Sequence, residues 1–160
     1  MADRGAAGGP LRVAITGPAL SEMRDQDRAA NDTEIGGLLL GWWAPGTIIV
    51  RHAIVVRDPR STGTSWTRRP RQSRRALADA LAIFEHPLLG YVGDWHCHPQ
   101  VCAASDRDLA SLQRTSRQYR SPLALIVSLP DGTCDTRAAQ DGMLVPVTTD
   151  DRPVLAAGDA

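Results

Sequence analysis

A chain of 160 residues, 42% of them hydrophobic, is long enough to bury one core without disulfide or metal staples. Eighteen basic residues balance eighteen acidic ones, and a net charge of zero argues against a general nucleic-acid or membrane-surface binder. The first ten residues carry no apolar run of the secretory kind, no stretch approaches the ~20 apolar residues of a membrane span, and three cysteines show no disulfide-framework spacing; a reducing cytoplasm is the expected location.

Residues 1–10 are rich in Gly and Ala and are expected to be disordered, ahead of one domain over 11–149 and a loose tail over 150–160. Leu11 to Ile15 predicts a short strand. Ala19 to Ala30 sets Leu20, Met23 and Ala30 among charges, as an amphipathic helix does, and Asn31-Asp32 breaks the chain after it. Ile35 to Trp43 reads as a buried strand, with Gly36 and Gly37 marking a bulge or a close backbone approach. Ala44-Pro45-Gly46 turns the chain and Ile48 to Val56 returns as an antiparallel partner. His52 has no ligand spacing around it and reads as structural or solvent-facing.

Asp58 to Pro70 is a long polar connection. Seven arginines fall between Arg57 and Arg75 against one acid, Asp58. With Trp66 as an anchor and Arg68 and Arg69 beside it, this stretch is a candidate substrate-binding surface for an acidic patch or a C-terminal carboxylate; a solvated loop is the plain alternative. Ser73 to Glu85 predicts a helix with Leu77, Leu81 and Phe84 on one face, and His86 suits its C-terminal dipole. Leu88 to Trp95 reads as a strand, Ser105 to Arg120 as a helix and Leu123 to Leu129 as a strand. Asp131-Gly132 is a turn, and Cys134 to Ala139 and Met143 to Val147 are short closing strands. The expected fold is α/β in the α+β sense, a mixed sheet flanked by helices.

The stretch that carries chemistry is Asp94-Trp95-His96-Cys97-His98-Pro99, followed by Ser105-Asp106-Arg107-Asp108. On a strand, side chains at i and i+2 share a face, so His96 and His98 aim at one point from Cα atoms roughly 6.5–7 Å apart. Pro99 ends the strand because it has no N–H to give. Ser105 suits the N-cap of the next helix, which puts Asp108 in its first turn, where a carboxylate also gains from the helix dipole. Two neutral imidazoles and a carboxylate form a zinc set with a fourth position open to water, the catalytic arrangement rather than the structural one. A surface histidine pair and an ordinary cap would explain either half alone; the complete spacing favours one Zn2+ per chain.

The run H-x-H-P, a short spacer, then S-x-x-D resembles the signature of the JAMM (MPN-plus) zinc metalloproteases. That family also carries an upstream glutamate followed by glycines and an apolar strand, which Glu34-Ile35-Gly36-Gly37-Leu38-Leu39-Leu40 matches. The resemblance spans about Leu11 to Val147. The spacer Gln100 to Ala104 has five residues where many members have six. The resemblance implies a JAMM/MPN fold, similar to the cytidine-deaminase-like architecture, in a compact bacterial member. It implies zinc held by His96, His98 and Asp108, with Glu34 as general acid–base and Ser105 steadying the oxyanion; the same roles follow from the residue chemistry. It further implies amide or isopeptide hydrolysis on a ubiquitin-like protein or its conjugates, beside activating and conjugating enzymes, some of which serve antiphage defence. All eighteen basic residues are arginine, so the chain offers no ε-amine to such a conjugation system, although a GC-rich genome would give the same bias.

Cys97 lies between the histidines and is expected on the opposite face, as a small packing residue. Cys102, in the short spacer, is a candidate redox-sensitive, inhibitory fourth ligand, since thiolates bind zinc well. Other readings are a peptidase that trims sulfur-carrier precursors or short peptides, and a non-catalytic MPN-type interaction module. A zinc deaminase would need H-x-E with P-C-x-x-C, which this chain lacks.

Overall fold

The computed structural model describes residues 9–29, 33–58, 60 and 70–150. Most of the expected disordered segment 1–10 and of the tail 150–160 lies outside these residues, as do Trp66, Arg68 and Arg69.

The element order is β1 (Leu11–Ile15), α1 (Gly17–Ala29), β2 (Gly36–Ala44), β3 (Thr47–Val55), α2 (Pro70–Phe84), β4 (Gly90–Cys97), α3 (Asp106–Ser116), β5 (Leu123–Ser128), β6 (Cys134–Gln140), β7 (Met143–Val145) and β8 (Val147–Asp150). All eight strands join one mixed sheet in the order β7-β6-β5-β4-β2-β3-β1-β8. The β2–β3 hairpin is antiparallel, as the turn residues predict. The sheet and its flanking helices make the mixed α/β fold expected from the sequence. Among the described residues, no helix is long and apolar enough to cross a membrane.

Leu38, Leu39 and Leu40 run without a polar break because β2 is central and both of its faces are covered. Leu39 joins one core with Val92, Trp95 and Ile126, capped by Ala19, Leu20 and Met23 of α1. Leu38 and Leu40 join the other with Tyr91, Leu125 and Val127, beneath Ala80 of α2 and Leu112 of α3. Helix α1 therefore covers one face, and α2 and α3 cover the other.

Trp95 is fully buried and its indole Nε1 donates to the Ile54 carbonyl at 3.0 Å. Trp95 of β4, Gly37 of β2 and Val55 of β3 are register neighbours, so the indole must cross β2 at Gly37. A Cβ at Gly37 would run into that same Ile54 carbonyl. The close approach expected at the glycine pair thus has a concrete cause. The irregularities of register fall later, at Leu39/Leu40 against β4 and at Leu40/Gly41 against β3.

Several boundaries differ from the sequence reading. Helix α2 begins at Pro70, whose missing N–H costs nothing in a first turn. Strand β4 begins at Gly90 rather than Leu88. Helix α3 stops at Ser116 rather than Arg120: the Ser116 hydroxyl donates to the Gln113 carbonyl at 2.8 Å and accepts the Gly142 N–H at 2.9 Å, tying the helix end to the β6–β7 turn. The last strand is two strands broken at Pro146. The second, β8, pairs with β1 in parallel and is joined to it by Arg12 and Asp150. With one residue between β7 and β8 at opposite edges of the sheet, the two edges curl toward each other at Pro146, whose carbonyl accepts the Leu11 N–H at 2.9 Å.

The remaining histidines are structural. His52 Nδ1 lies 3.0 Å from Glu22 Oε1 and its ring stacks on Phe84 with centroids 3.8 Å apart. His86 stacks on Trp42 at 4.9 Å.

Candidate metal centre

The site forms where a crossover unit opens. Strands β4 and β5 are parallel and joined through α3, so the C-terminal end of β4 and the N-terminus of α3 face one cleft. His96 is the penultimate residue of β4 and His98 follows its end, held there by its N–H to the Ser128 carbonyl at 3.0 Å. Both side chains are buried, and their Nε2 atoms are 3.0 Å apart. The period of a strand does bring them to one point.

Cys97 points away, as alternation requires. Its thiol donates to the Ile35 carbonyl at 3.3 Å. Burial, with the carboxylate of Asp27 adding to it, pushes the thiol up to about 11, so it stays protonated and packs.

Asp108 reaches the pair from above. Ser105 is the N-cap of α3, and the two residues form a reciprocal capping box. The Ser105 N–H donates to Asp108 Oδ2 at 2.8 Å, and the Asp108 N–H donates to Ser105 Oγ at 3.2 Å. The same Oδ2 lies 3.6 Å from both His96 Nε2 and His98 Nε2. The cap that starts the helix therefore also aims the carboxylate. Burial opposes its charge, but the His96 ring and the Ser105 N–H and hydroxyl outweigh that and hold Asp108 well below the usual carboxylate range.

Glu34 lies two residues before β2, buried, with Oε1 3.8 Å from His98 Nε2. It reaches the cluster because Gly36 pairs with His96 and the Cys97 N–H donates to the Ile35 carbonyl at 2.8 Å, which locks the segment beside the end of β4.

The imidazole of His98 has a defined tautomer. Its Nδ1 is 3.0 Å from the Cys102 carbonyl, which can only accept, so Nδ1 carries the proton and Nε2 presents its lone pair. The Cys102 sulfur lies on that same outer nitrogen, at 3.2 Å. The expected inhibitory fourth ligand would need the sulfur on the inner side of the ring instead. In this arrangement the exposed Cys102 belongs to the support behind His98, on the far side of the ring from the atoms that converge.

His96, His98 and Asp108 are the one group of three His, Cys, Asp or Glu among the described residues whose ligand atoms gather closely enough to hold a metal ion. Their separations of 3.0, 3.6 and 3.6 Å bracket the edge of about 3.3–3.4 Å that a tetrahedral zinc with ~2.0–2.1 Å bonds requires. Two imidazole nitrogens and a carboxylate oxygen gathered at these distances form a donor set that a cation can occupy. The residues fit zinc, with three protein ligands and a fourth position left over.

Asp135 and Arg137 were not singled out by the sequence. Asp135 of β6 accepts the Ala104 N–H at 2.8 Å through Oδ2, and Arg137 Nε donates to its Oδ1 at 2.9 Å. The signal was indirect: the turn at Asp131-Gly132 sets Cys134 opposite Ser128, and only that register brings Asp135 level with the histidines.

Such a donor set, at the mouth of a crossover in a mixed sheet with a buried carboxylate beside it, suggests a metallohydrolase. The chain belongs to the prokaryotic homologs of the JAB domain (Prok-JAB), whose family model matches residues 16–140. It is also similar in fold to the solution structure of protein DSY2949 from Desulfitobacterium hafniense, with a TM-score of 0.64 and 16% sequence identity over 90% of this chain and 97% of that one. No curated protein matches the chain.

The carboxylates make acid stability a test of the site's geometry. Asp108 and Asp135 both have pKa values lowered in the folded protein; for Asp135, burial opposes the shift and the bonds from Arg137 and Ala104 overcome it. A lowered folded pKa contributes stability above the unfolded value of ~4, and that contribution is lost as pH falls through the folded value. The melting temperature of the metal-free protein should therefore drop below pH ~4, and Asp135→Asn should make that drop shallower. Identical acid limbs for the two proteins would contradict the assignment.

Proposed function

We propose that the protein is a zinc-dependent metallopeptidase that hydrolyses amide or isopeptide bonds, deconjugating or processing a ubiquitin-like protein tag. The observation that carries this reading is the convergence of His96 Nε2, His98 Nε2 and Asp108 Oδ2 within 3.6 Å of one another, with the Glu34 carboxylate 3.8 Å from His98. Zinc held by these three residues would polarise the scissile carbonyl and lower the pKa of the attacking water toward ~7.

The remaining chemistry falls to the chain. Glu34 takes the proton from the attacking water and delivers it to the departing amine. Its burial beside an imidazole suits a group that must exchange a proton rather than stay solvated. Ser105 Oγ accepts the Asp108 N–H, and its hydroxyl hydrogen, which supports the Asp108 carboxylate at rest, can turn to the oxyanion once Asp108 holds the metal. His98 cannot rotate freely while its Nδ1–H is held by the Cys102 carbonyl.

The tag is inferred from the family. The Prok-JAB domain covers most of the chain and includes every residue of the site. A panel of fusions, each joining a ubiquitin-like protein or a sulfur-carrier precursor to a reporter, tests it with the wild type and Glu34→Gln. Cleavage at the end of a ubiquitin-like tag by the wild type alone is the expected result. Cleavage confined to short peptides or sulfur-carrier precursors would replace the tag reading.

A further inference from the structure

The geometry points to Asp135 as a positioning residue for the metal centre: through the Ala104 N–H it fixes the five-residue spacer, and the spacer fixes both His98 and the cap that carries Asp108. This inference rests on the metallopeptidase reading.

The spacer, residues 100 to 104, links two ligands, and its conformation decides whether they meet. On one side its Cys102 carbonyl takes the Nδ1–H of His98. On the other, Ala104 immediately precedes Ser105, the N-cap whose N–H holds Asp108 Oδ2. Residues 99 to 103 are exposed, so little burial restrains this loop. What restrains it is the carboxylate of Asp135, which accepts the Ala104 N–H at 2.8 Å from across the sheet, 31 residues away in sequence.

Register explains how a residue of β6 reaches the site. His96 of β4, Val127 of β5 and Asp135 of β6 are neighbours in one row. Side chains of a row share a face of the sheet. Val127 lies in the core beneath α3, so Asp135 faces the same side, under the N-terminal end of that helix. Arg137, two residues on and on the same face, donates its Nε–H to Asp135 Oδ1 at 2.9 Å and leaves Oδ2 for Ala104. The carboxylate is thus fixed on both oxygens: Arg137 orients it, and it orients the loop.

A hydrogen bond that holds a ligand's support shapes metal affinity more than fold stability, and loss of such supports typically weakens binding 10–100-fold. The test is the zinc dissociation constant, measured by competition with a chromogenic chelator, for the wild type, Asp135→Ala and Asp135→Asn. An asparagine oxygen can accept the Ala104 N–H while its NH2 faces Arg137, whose side chain is 40% exposed and free to turn to solvent; alanine accepts nothing. We expect Asp135→Ala to bind zinc about 10–100-fold more weakly and Asp135→Asn to stay within about threefold of the wild type. Should Asp135→Ala not fold, Asp135→Thr takes its place: threonine favours a strand and its hydroxyl is too short to reach Ala104. Hydrogen exchange of the metal-free protein supplies a second readout, with the Ala104 amide exchanging about tenfold faster in the alanine variant.

Equal zinc affinity in wild type and Asp135→Ala would overturn the inference, as would an asparagine variant as weak as the alanine one. A wild type that binds no zinc removes the proposed function; in that case unchanged exchange at Ala104 overturns the positioning role by itself, and faster exchange upholds it for the loop.

Discussion

Replacing Glu34 by glutamine is expected to lower the rate of hydrolysis by about 10²–10⁴-fold while leaving zinc binding intact. Glutamine has the same shape and can still hydrogen-bond a water, but it cannot accept a proton. The substitution fits because glutamine is isosteric with glutamate, and it removes a charge from a residue that is only 7% exposed. Glu34 lies 3.8 Å from His98 and is not among the three converging ligands, so the metal should remain at its wild-type level. The assay is cleavage of the best fusion substrate alongside elemental analysis of the same preparation. Activity within threefold of the wild type would remove Glu34 from the chemistry. Loss of both zinc and activity would make it a ligand instead of a base.

The second large effect is on the fold. Trp95→Ala should cost about 3–5 kcal/mol, the range for emptying a buried aromatic site, and so lower the melting temperature by roughly 6–20 °C for a chain of this size. The indole is fully buried between α1 and the sheet, and its N–H satisfies the Ile54 carbonyl across β2. Removing it leaves a cavity one residue from His96 and takes away the donor that draws β3 against Gly37. Trp95→Phe keeps most of the apolar area and loses only the hydrogen bond, a cost of about 1 kcal/mol before repacking. Thermal melts of the two variants separate these contributions. An alanine variant that melts within a few degrees of the wild type would show that the indole is not holding the end of β4.

The site was legible in the sequence wherever a local rule set its geometry. A two-residue period brings His96 and His98 to one face, and an N-cap at Ser105 brings Asp108 to the first turn; both rules act over a few residues, and the two histidines and the aspartate do meet. Glu34 was visible only because a second block resembled a known family, since nothing local says that a strand-end carboxylate will lie beside a histidine 64 positions later. Asp135 had no local signature: its role depends on which strands neighbour β4, and that order comes from the whole sheet. The position of Cys102 could not be read either. Proximity in sequence put it near the metal, but the turn of the spacer sets its sulfur on the outer nitrogen of His98.

The elements followed the same division. Periodicity and turn residues gave the β2–β3 hairpin and the three helices within a few residues of their observed bounds. The sequence pattern runs the closing strand through Pro146, whereas a residue without an N–H splits it and sends β8 to the opposite edge beside β1. Helix α3 ended early for a tertiary reason, the bond between Ser116 and Gly142.

A bound metal is what the converging His96, His98 and Asp108 most directly require. Elemental analysis of the purified protein and of His98→Ala is the most direct measurement. It should find about one zinc per wild-type chain and little in the variant, as three protein ligands reduced to two would leave. A wild-type chain that holds no zinc after reconstitution, or a His98→Ala variant that holds as much as the wild type, would contradict that requirement.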